Sequence, residues 1–158
     1  MIFVTVGTQL PFDRLVRAVD DWAGASGVTA VFAQIGDALY RPANLEWAPY
    51  LPADEFRRRL AAASLVVSHA GMGNLLAALE AQKPLIVMPR RAALNEIRNN
   101  HQVATAKWLR QMSGVRVAED EAELAATLSA GDWPAPEAPR REASPELLAA
   151  IRDFIEQE

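Results

Sequence analysis

A single α/β domain with a parallel sheet flanked by helices is the fold class predicted, and three features predict it. Short apolar runs alternate with amphipathic stretches along nearly the whole chain. The strand candidates are continuous Val/Ile/Leu runs, as expected where helices cover both faces of a sheet. Gly7, Gly36, Gly71 and Pro89 fall just after strand candidates, where an open α/β sheet places its ligand crevice. The 158 residues suit one domain and suffice for a sizeable core.

The first strand is predicted at Ile2–Val6, ended by Gly7, and the first helix at Phe12–Ala23 after the Pro11 turn. Thr29–Gln34 follows as a second strand, then a short piece at Leu45–Trp47. Pro49 and Pro52 stiffen the next loop, and a helix is expected over Asp54–Ala62. Leu65–Val67 leads into Ser68-His69-Ala70-Gly71-Met72-Gly73-Asn74, which opens a helix over Gly73–Ala81 that stops before Lys83-Pro84. Leu85–Met88 is the next strand, and a long helix is expected over Leu94–Met112. Val115–Val117 and a helix at Glu121–Ser129 complete the domain, taken as residues 1–129. Residues 130–144, with Pro134, Pro136 and Pro139, read as a linker or surface strap that Trp133 pins to the body. Residues 145–158 are predicted to form a C-terminal amphipathic helix, with Ser144 as its cap, Pro145 in its first turn, and Leu147, Leu148, Ile151, Phe154 and Ile155 on one face. That face packs either on the chain's own body or on another subunit.

Composition narrows the function. A net charge of −4 argues against nucleic-acid binding. With no cysteine, disulfides, thiolate metal sites and cysteine nucleophiles are excluded, and two histidines do not make a histidine-rich metal site. No run approaches the roughly 20 apolar residues of a membrane span, and the N-terminus lacks a basic leader pattern. A soluble, cytoplasmic protein is expected, with any membrane contact made through a partner.

Four loops carry candidate chemistry. The Gly71 turn joins strand to helix and offers unpaired N–H groups at a positive dipole end, which favours phosphate or diphosphate. Glycine at 71 and 73 lets the backbone approach such a guest; an ordinary βα turn explains the same residues. Gly7-Thr8-Gln9 form a second small polar turn beside it. Neither GxxxxGK[ST] nor GxGxxG is present at Gly7, so phosphoryl transfer is disfavoured. Tyr50, between two prolines, suits either a flat base or the core. Asn95 to Gln102 places polar side chains at a helix start, suited to sugar hydroxyls or to a solvated shoulder. His69 has no recognisable triad partner and is read as a ligand contact, with a structural role as the alternative.

Met1–Thr8 with Pro11-Phe12-Asp13, the Ser68–Gly73 turn, Lys83-Pro84-Leu85-Ile86-Val87 and Asn100-His101-Gln102 resemble the C-terminal, donor-binding domain of family 28 GT-B glycosyltransferases. The resemblance runs from Met1 to about Val117. It is closest to stand-alone members: the PssE-type exopolysaccharide subunit and the small soluble subunit of the split dolichol-linked N-acetylglucosaminyltransferase. It implies a Rossmann-like domain, half of a GT-B fold, holding a UDP-sugar as substrate with neither metal nor cofactor.

Gly7, Thr8, Gln9, His69, Gly71, Gly73 and Asn74 would then hold the diphosphate. Tyr50 and Leu51 would line the uracil pocket, and Asn100, His101 and Gln102 would contact the sugar. Relatives carry an acid for the ribose eight positions after His69. Here Ala77 stands there, and Glu80, one turn on, shares roughly that face.

The implied activity is inverting transfer to a lipid-linked acceptor in exopolysaccharide synthesis, at the inner membrane face. A membrane-associated partner, with the C-terminal helix as the docking candidate, would supply acceptor site and general base. The alternatives are a non-catalytic nucleotide-binding regulatory subunit and a sugar-nucleotide epimerase-like enzyme, for which Glu96 is the one obvious carboxylate. Arg90, Arg91 and Arg98 near the sugar loop make a uronate a plausible sugar.

Overall fold

The computed structural model describes residues 1–137. Its six strands, β1 (Ile2–Thr5), β2 (Val31–Gln34), β3 (Glu46–Ala48), β4 (Leu65–His69), β5 (Leu85–Met88) and β6 (Val115–Val117), form one sheet. The order is β3-β2-β1-β4-β5-β6 and every pairing is parallel. Five helices connect and cover it: α1 (Asp13–Ser26), α2 (Ala53–Ala62), α3 (Met72–Glu80), α4 (His101–Leu109) and α5 (Glu121–Ala130).

Alternate residues of each central strand enter opposite cores. Ile2 and Val4, Leu65 and Val67, and Ile86 and Met88 pack with α1 and with Leu124 and Leu128 of α5. Phe3, Val66, Leu85 and Val87 pack with Leu60 of α2, Leu75 and Leu79 of α3 and Leu109 of α4. Each such fully buried side chain contributes about 1.5–3 kcal/mol. This two-sided burial is why the strands read as unbroken apolar runs.

The order in which the chain adds strands reverses between β1 and β4: β2 and β3 lie on one side, β5 and β6 on the other. At such a switch point the loops after the two central strands diverge and leave a crevice at the strands' C-terminal ends. The loops concerned begin at Val6 and Ala70.

The long helix expected over Leu94–Met112 is not formed. A 3-10 turn at Ala92–Leu94 ends at Asn95, whose φ of 56° is left-handed, and α4 starts only at His101. Asn takes this conformation more readily than most residues, and the Glu96 side chain is drawn away to Arg14. Residues 131–137 carry no regular secondary structure. Trp133 packs on the α1 side of the core and its Nε1–H donates to Thr127 O at 3.1 Å. The C-terminal helix expected over Pro145–Ile155, and residues 138–144 of the strap, lie outside the described residues.

Candidate functional site

The site is built on a row of polar residues at the strand ends. Parallel register sets Thr5 beside both Gln34 and Ser68, and all three are buried. Thr5 Oγ1 donates to Gln34 Oε1 at 2.7 Å, and Gln34 Nε2 donates to Gly7 O and Pro49 O at 3.0 Å each. Asn74 Nδ2 donates to Ser68 Oγ at 3.1 Å and to Thr5 Oγ1 at 3.4 Å. A network satisfied in this way is rigid. It fixes the Gly7 turn, the Pro49 loop and the start of α3 as one unit.

Two cavities open above this row. The larger, about 970 Å³, lies between the Gly7 turn, the start of α3 and residues 95–102. The other, about 700 Å³, lies between α2 and α3 and is lined largely by apolar residues such as Leu51, Phe56 and Leu60. Gly7, Thr8 and Asn74 line both, so the cavities meet there.

The start of α3 faces this junction. Its ladder begins with Leu75 N–H donating to Gly71 O at 3.1 Å, so the amides of Met72, Gly73 and Asn74 precede the first intrahelical bond. No side chain caps them, and the first turn holds no acid. Uncapped amides with the helix dipole behind them favour an anion. A Cβ at Gly73 would meet nothing within 4 Å, so the space above this turn is open.

Gly71 answers to a different neighbour than the sequence suggests. A Cβ there would lie 2.0 Å from His69 Nε2, and one at Gly7 would lie 2.8 Å from His69 Cε1. The two glycines therefore make room for the His69 ring. Gly7 also needs its left-handed φ of 76°. Burial, then the nearby Arg90 charge, push the imidazole down to about 4, so it is neutral near pH 7. Its Nδ1 is buried without a hydrogen-bond partner among the described residues, while the ring lines the larger cavity.

The expected sugar-side residues separate. His101 lines the larger cavity, with its Nδ1 against Asn99 Oδ1. Gln102 also lines it but is buried, and its Oε1 accepts from Arg90 N–H at 3.1 Å. Only its amide nitrogen is left for a ligand. Asn100 is placed outside the cavity, because its Oδ1 accepts from Ala92 N–H at 3.1 Å and closes the 3-10 turn.

Of the residues expected at the nucleoside, Leu51 and Glu80 line the smaller cavity together with Ala77, and Glu80 is exposed. Tyr50 does not line it. The ring is 44% exposed, and the Asp37 carboxylate beside its hydroxyl raises the phenol above its ordinary value. Asn74, expected to contact a diphosphate, has its side-chain N–H donors directed at Ser68 and Thr5, which leaves its backbone N–H for a ligand. Thr8 and Gln9 lie in the wall of the larger cavity.

Several residues central to the site were not singled out for these roles from the sequence. Thr5 and Gln34 had a visible signal, as polar residues ending otherwise apolar strands. Arg90 is 2% exposed and donates to Val6 O at 2.9 Å, Leu10 O at 2.7 Å and Pro11 O, bracing the whole first loop. Burial pushes its guanidinium down to about 10, which leaves it charged at neutral pH.

Arg90 and Arg98 both line the cavity, but Arg90 is occupied by three carbonyls, and Arg91, which donates to Glu119 O at 2.6 Å, does not line it. Little remains of the argument for a uronate. Glu96 also lines the cavity, with its carboxylate paired to Arg14 at 2.6 Å. Among the described residues no three His, Asp or Glu side chains gather into a metal-holding group, and no helix is long and apolar enough to cross a membrane.

A six-stranded parallel sheet covered by helices, with its crevice at the switch point, defines a Rossmann-like α/β domain. Residues 1–157 match the glycosyltransferase family 28 C-terminal domain, and the chain belongs to that family. It is 34% identical over 119 residues to the human UDP-N-acetylglucosamine transferase subunit ALG13, covering 68% of this chain and 10% of that protein. It is 43% identical over 68 residues to the subunit of that name from Eremothecium gossypii, covering 42% and 32%. The chain thus spans about a tenth of the length of the human relative.

Among solved structures, the NMR solution structure of ALG13 superposes with a TM-score of 0.61 at 21% identity, covering 85% of this chain and 87% of that one. Acinetobacter baumannii MurG gives 0.59 at 19% identity, covering 82% and 40%. At these identities the likeness is one of fold.

Proposed function

We propose that this chain is the donor-binding subunit of a two-component inverting glycosyltransferase. It holds a UDP-sugar, and a membrane-associated partner presents a lipid-linked acceptor. The observation that carries the reading is the meeting of two cavities at the uncapped start of α3. A nucleoside in the apolar cavity and a sugar in the polar one would set the diphosphate against the amides of Met72, Gly73 and Asn74. The names of the similar proteins, UDP-N-acetylglucosamine transferase subunits, support a UDP-sugar and put UDP-N-acetylglucosamine first among candidates. Exopolysaccharide synthesis is our proposal for the setting, at the inner membrane face.

In this reading the acceptor oxygen attacks the anomeric carbon, the bond from that carbon to the diphosphate oxygen breaks, and UDP leaves with the electron pair. Configuration inverts in a single displacement. Charge grows on the departing diphosphate, and fixed N–H donors at a helix start stabilise it. His69, neutral near pH 7, offers a ring N–H to the same group and adds no charge of its own. The acceptor hydroxyl's proton passes to a base within hydrogen-bond reach, and we assign that base to the partner.

Calorimetric titration with UDP and a panel of UDP-sugars tests the reading, alone and with the co-expressed partner. Saturable UDP binding with one sugar nucleotide preferred supports it. Absence of binding in both preparations refutes it, and consumption of a UDP-sugar by the chain alone without acceptor replaces it with the epimerase alternative.

A further inference from the structure

We propose that the Arg14–Glu96 ion pair is a latch that holds residues 91–100 as the sugar-side wall of the crevice. Its consequence for ligands rests on the donor-binding reading above: the pair governs selection of the donor's sugar and not affinity for its nucleotide. Both side chains are nearly enclosed, at 12% and 11% exposure. Arg14 Nε donates to Glu96 Oε1 at 2.6 Å and Nη2 to Oε2 at 3.0 Å, a two-point pairing that fixes orientation as well as distance. Glu96 Oε2 also accepts from Arg91 N–H at 2.8 Å, and Arg14 Nη2 donates to Pro89 O at 3.0 Å. These bonds tie the exit of β5 and the following loop to the first turn of α1, which is 82 residues distant in sequence.

Apart from this tie, the described side-chain bonds anchor the segment to the body at its start, where Arg91 Nη2 donates to Glu119 O at 2.6 Å. Between the 3-10 turn and α4 the segment forms no regular structure. The side-chain bonds of Asn99 and Asn100 stay within the segment or at its edge, to His101 N–H and Ala92 N–H. Yet Asn95, Ile97, Arg98 and Asn99 all line the larger cavity. The nucleoside cavity is formed by other elements, α2 and α3, and contains none of these residues. Phe12 completes the assembly, with the Arg14 guanidinium 5.4 Å and that of Arg90 4.6 Å from its ring centre. Arg90 braces the first loop along the chain, after β1, and the pair braces the third, residues 91–100 after β5, so the two walls of the cavity share one support. Removing Arg14 leaves the enclosed Glu96 carboxylate without its cation, and removing Glu96 leaves Arg14 only the longer pairing to Glu121 Oε2 at 3.5 Å; either change favours opening of the loop.

The test uses the whole chain with Glu96→Gln, which keeps the shape, and Glu96→Ala, which does not. Hydrogen exchange needs no ligand. Protection of the amides of Arg91, Leu94, Asn95 and Glu96 is expected to fall about tenfold in Glu96→Ala, and less in Glu96→Gln, while β1 and β4 stay unchanged. Unchanged loop protection, or loss of protection throughout the sheet, overturns the latch.

Titration then reads the consequence. UDP affinity is expected to stay within about twofold while affinity for the preferred UDP-sugar falls about tenfold. Equal losses for both ligands overturn the sugar-side role. If the parent protein binds neither ligand, alone or with the co-expressed partner, the donor-binding reading fails, and the exchange result still decides the latch.

Discussion

α3 and α5 both follow a strand of the same sheet, yet their first turns are built in opposite ways. Asp120 caps α5, its Oδ1 accepting from Glu123 N–H at 2.9 Å, and Glu121 and Glu123 add negative charge to the first turn. Glu123 Oε2 in turn accepts from Glu119 N–H at 2.8 Å. α3 has none of this: Gly71 stands at its cap position and Met72-Gly73-Asn74 form its first turn. The chain can satisfy a helix start with its own carboxylates, and at the switch point it does not. Leaving that start open forgoes about 1 kcal/mol of capping. In our reading the missing acceptor is the donor's diphosphate.

The largest effect is expected from crowding the turn. Gly71→Ala would drive a methyl into the His69 ring, displacing either the ring or the amides, and UDP affinity should fall at least about 30-fold, equivalent to roughly 2 kcal/mol of overpacking. Combining it with His69→Ala should recover much of the lost thermal stability, because the space is then free. If Gly71→Ala binds UDP normally, the turn does not hold the diphosphate.

Acid should weaken the α3 region first. His69 titrates near 4 in the folded protein and near its ordinary 6.5 when unfolded, so the unfolded state binds more protons between those values. Stability from the neutral, buried ring is complete above about pH 6.5 and declines as pH falls toward 4, by roughly 3 kcal/mol in all. Urea melts across this range should show that slope, and His69→Gln should flatten it. An unchanged slope would return His69 to a solvated environment.

A smaller change makes α3 resemble α5. Gly73→Asp has open space for its side chain and places a carboxylate in the first turn. The helix dipole should offset the lost glycine and hold stability within about 1 kcal/mol, while UDP affinity falls about tenfold by like-charge repulsion. Thermal melting and titration on one preparation check both. Tighter UDP binding would contradict the comparison.

The smallest effect is at α5 itself. Asp120→Ala should lower stability by about 1 kcal/mol, read by denaturant melts, and leave UDP affinity untouched. A loss of affinity there would show that the two helix starts are not independent.

The sequence showed the sheet clearly because both faces of each central strand are apolar, so Ile2–Thr5, Leu65–His69 and Leu85–Met88 stand out as runs. It also placed the crevice, since Gly7 and Gly71 sit where strands end. It did not show that Gly7 and Gly71 also make room for the His69 ring. The His69 ring reaches across from one chain turn to another, and no local pattern reports which neighbour fills the space.

The third loop was obscured for a related reason. Leu94 and Ile97 keep a helical spacing with the residues beyond them, but Glu96 answers to Arg14 in α1, and that long-range pair overrides local propensity. Gln102 was legible as a site residue, though half of its amide serves Arg90. Arg90 itself reads as a surface arginine until the three carbonyls around it are seen.

The most direct test of the account is a nitrogen-15 NMR titration of the chain with UDP, alone and with the co-expressed partner, following backbone amides by residue. The account predicts saturable shifts that are largest at Met72, Gly73, Asn74 and Gly7, with the α5 start at Glu121 to Glu123 unmoved. Saturable binding that leaves the α3 amides unmoved, or no binding in either preparation, would contradict it.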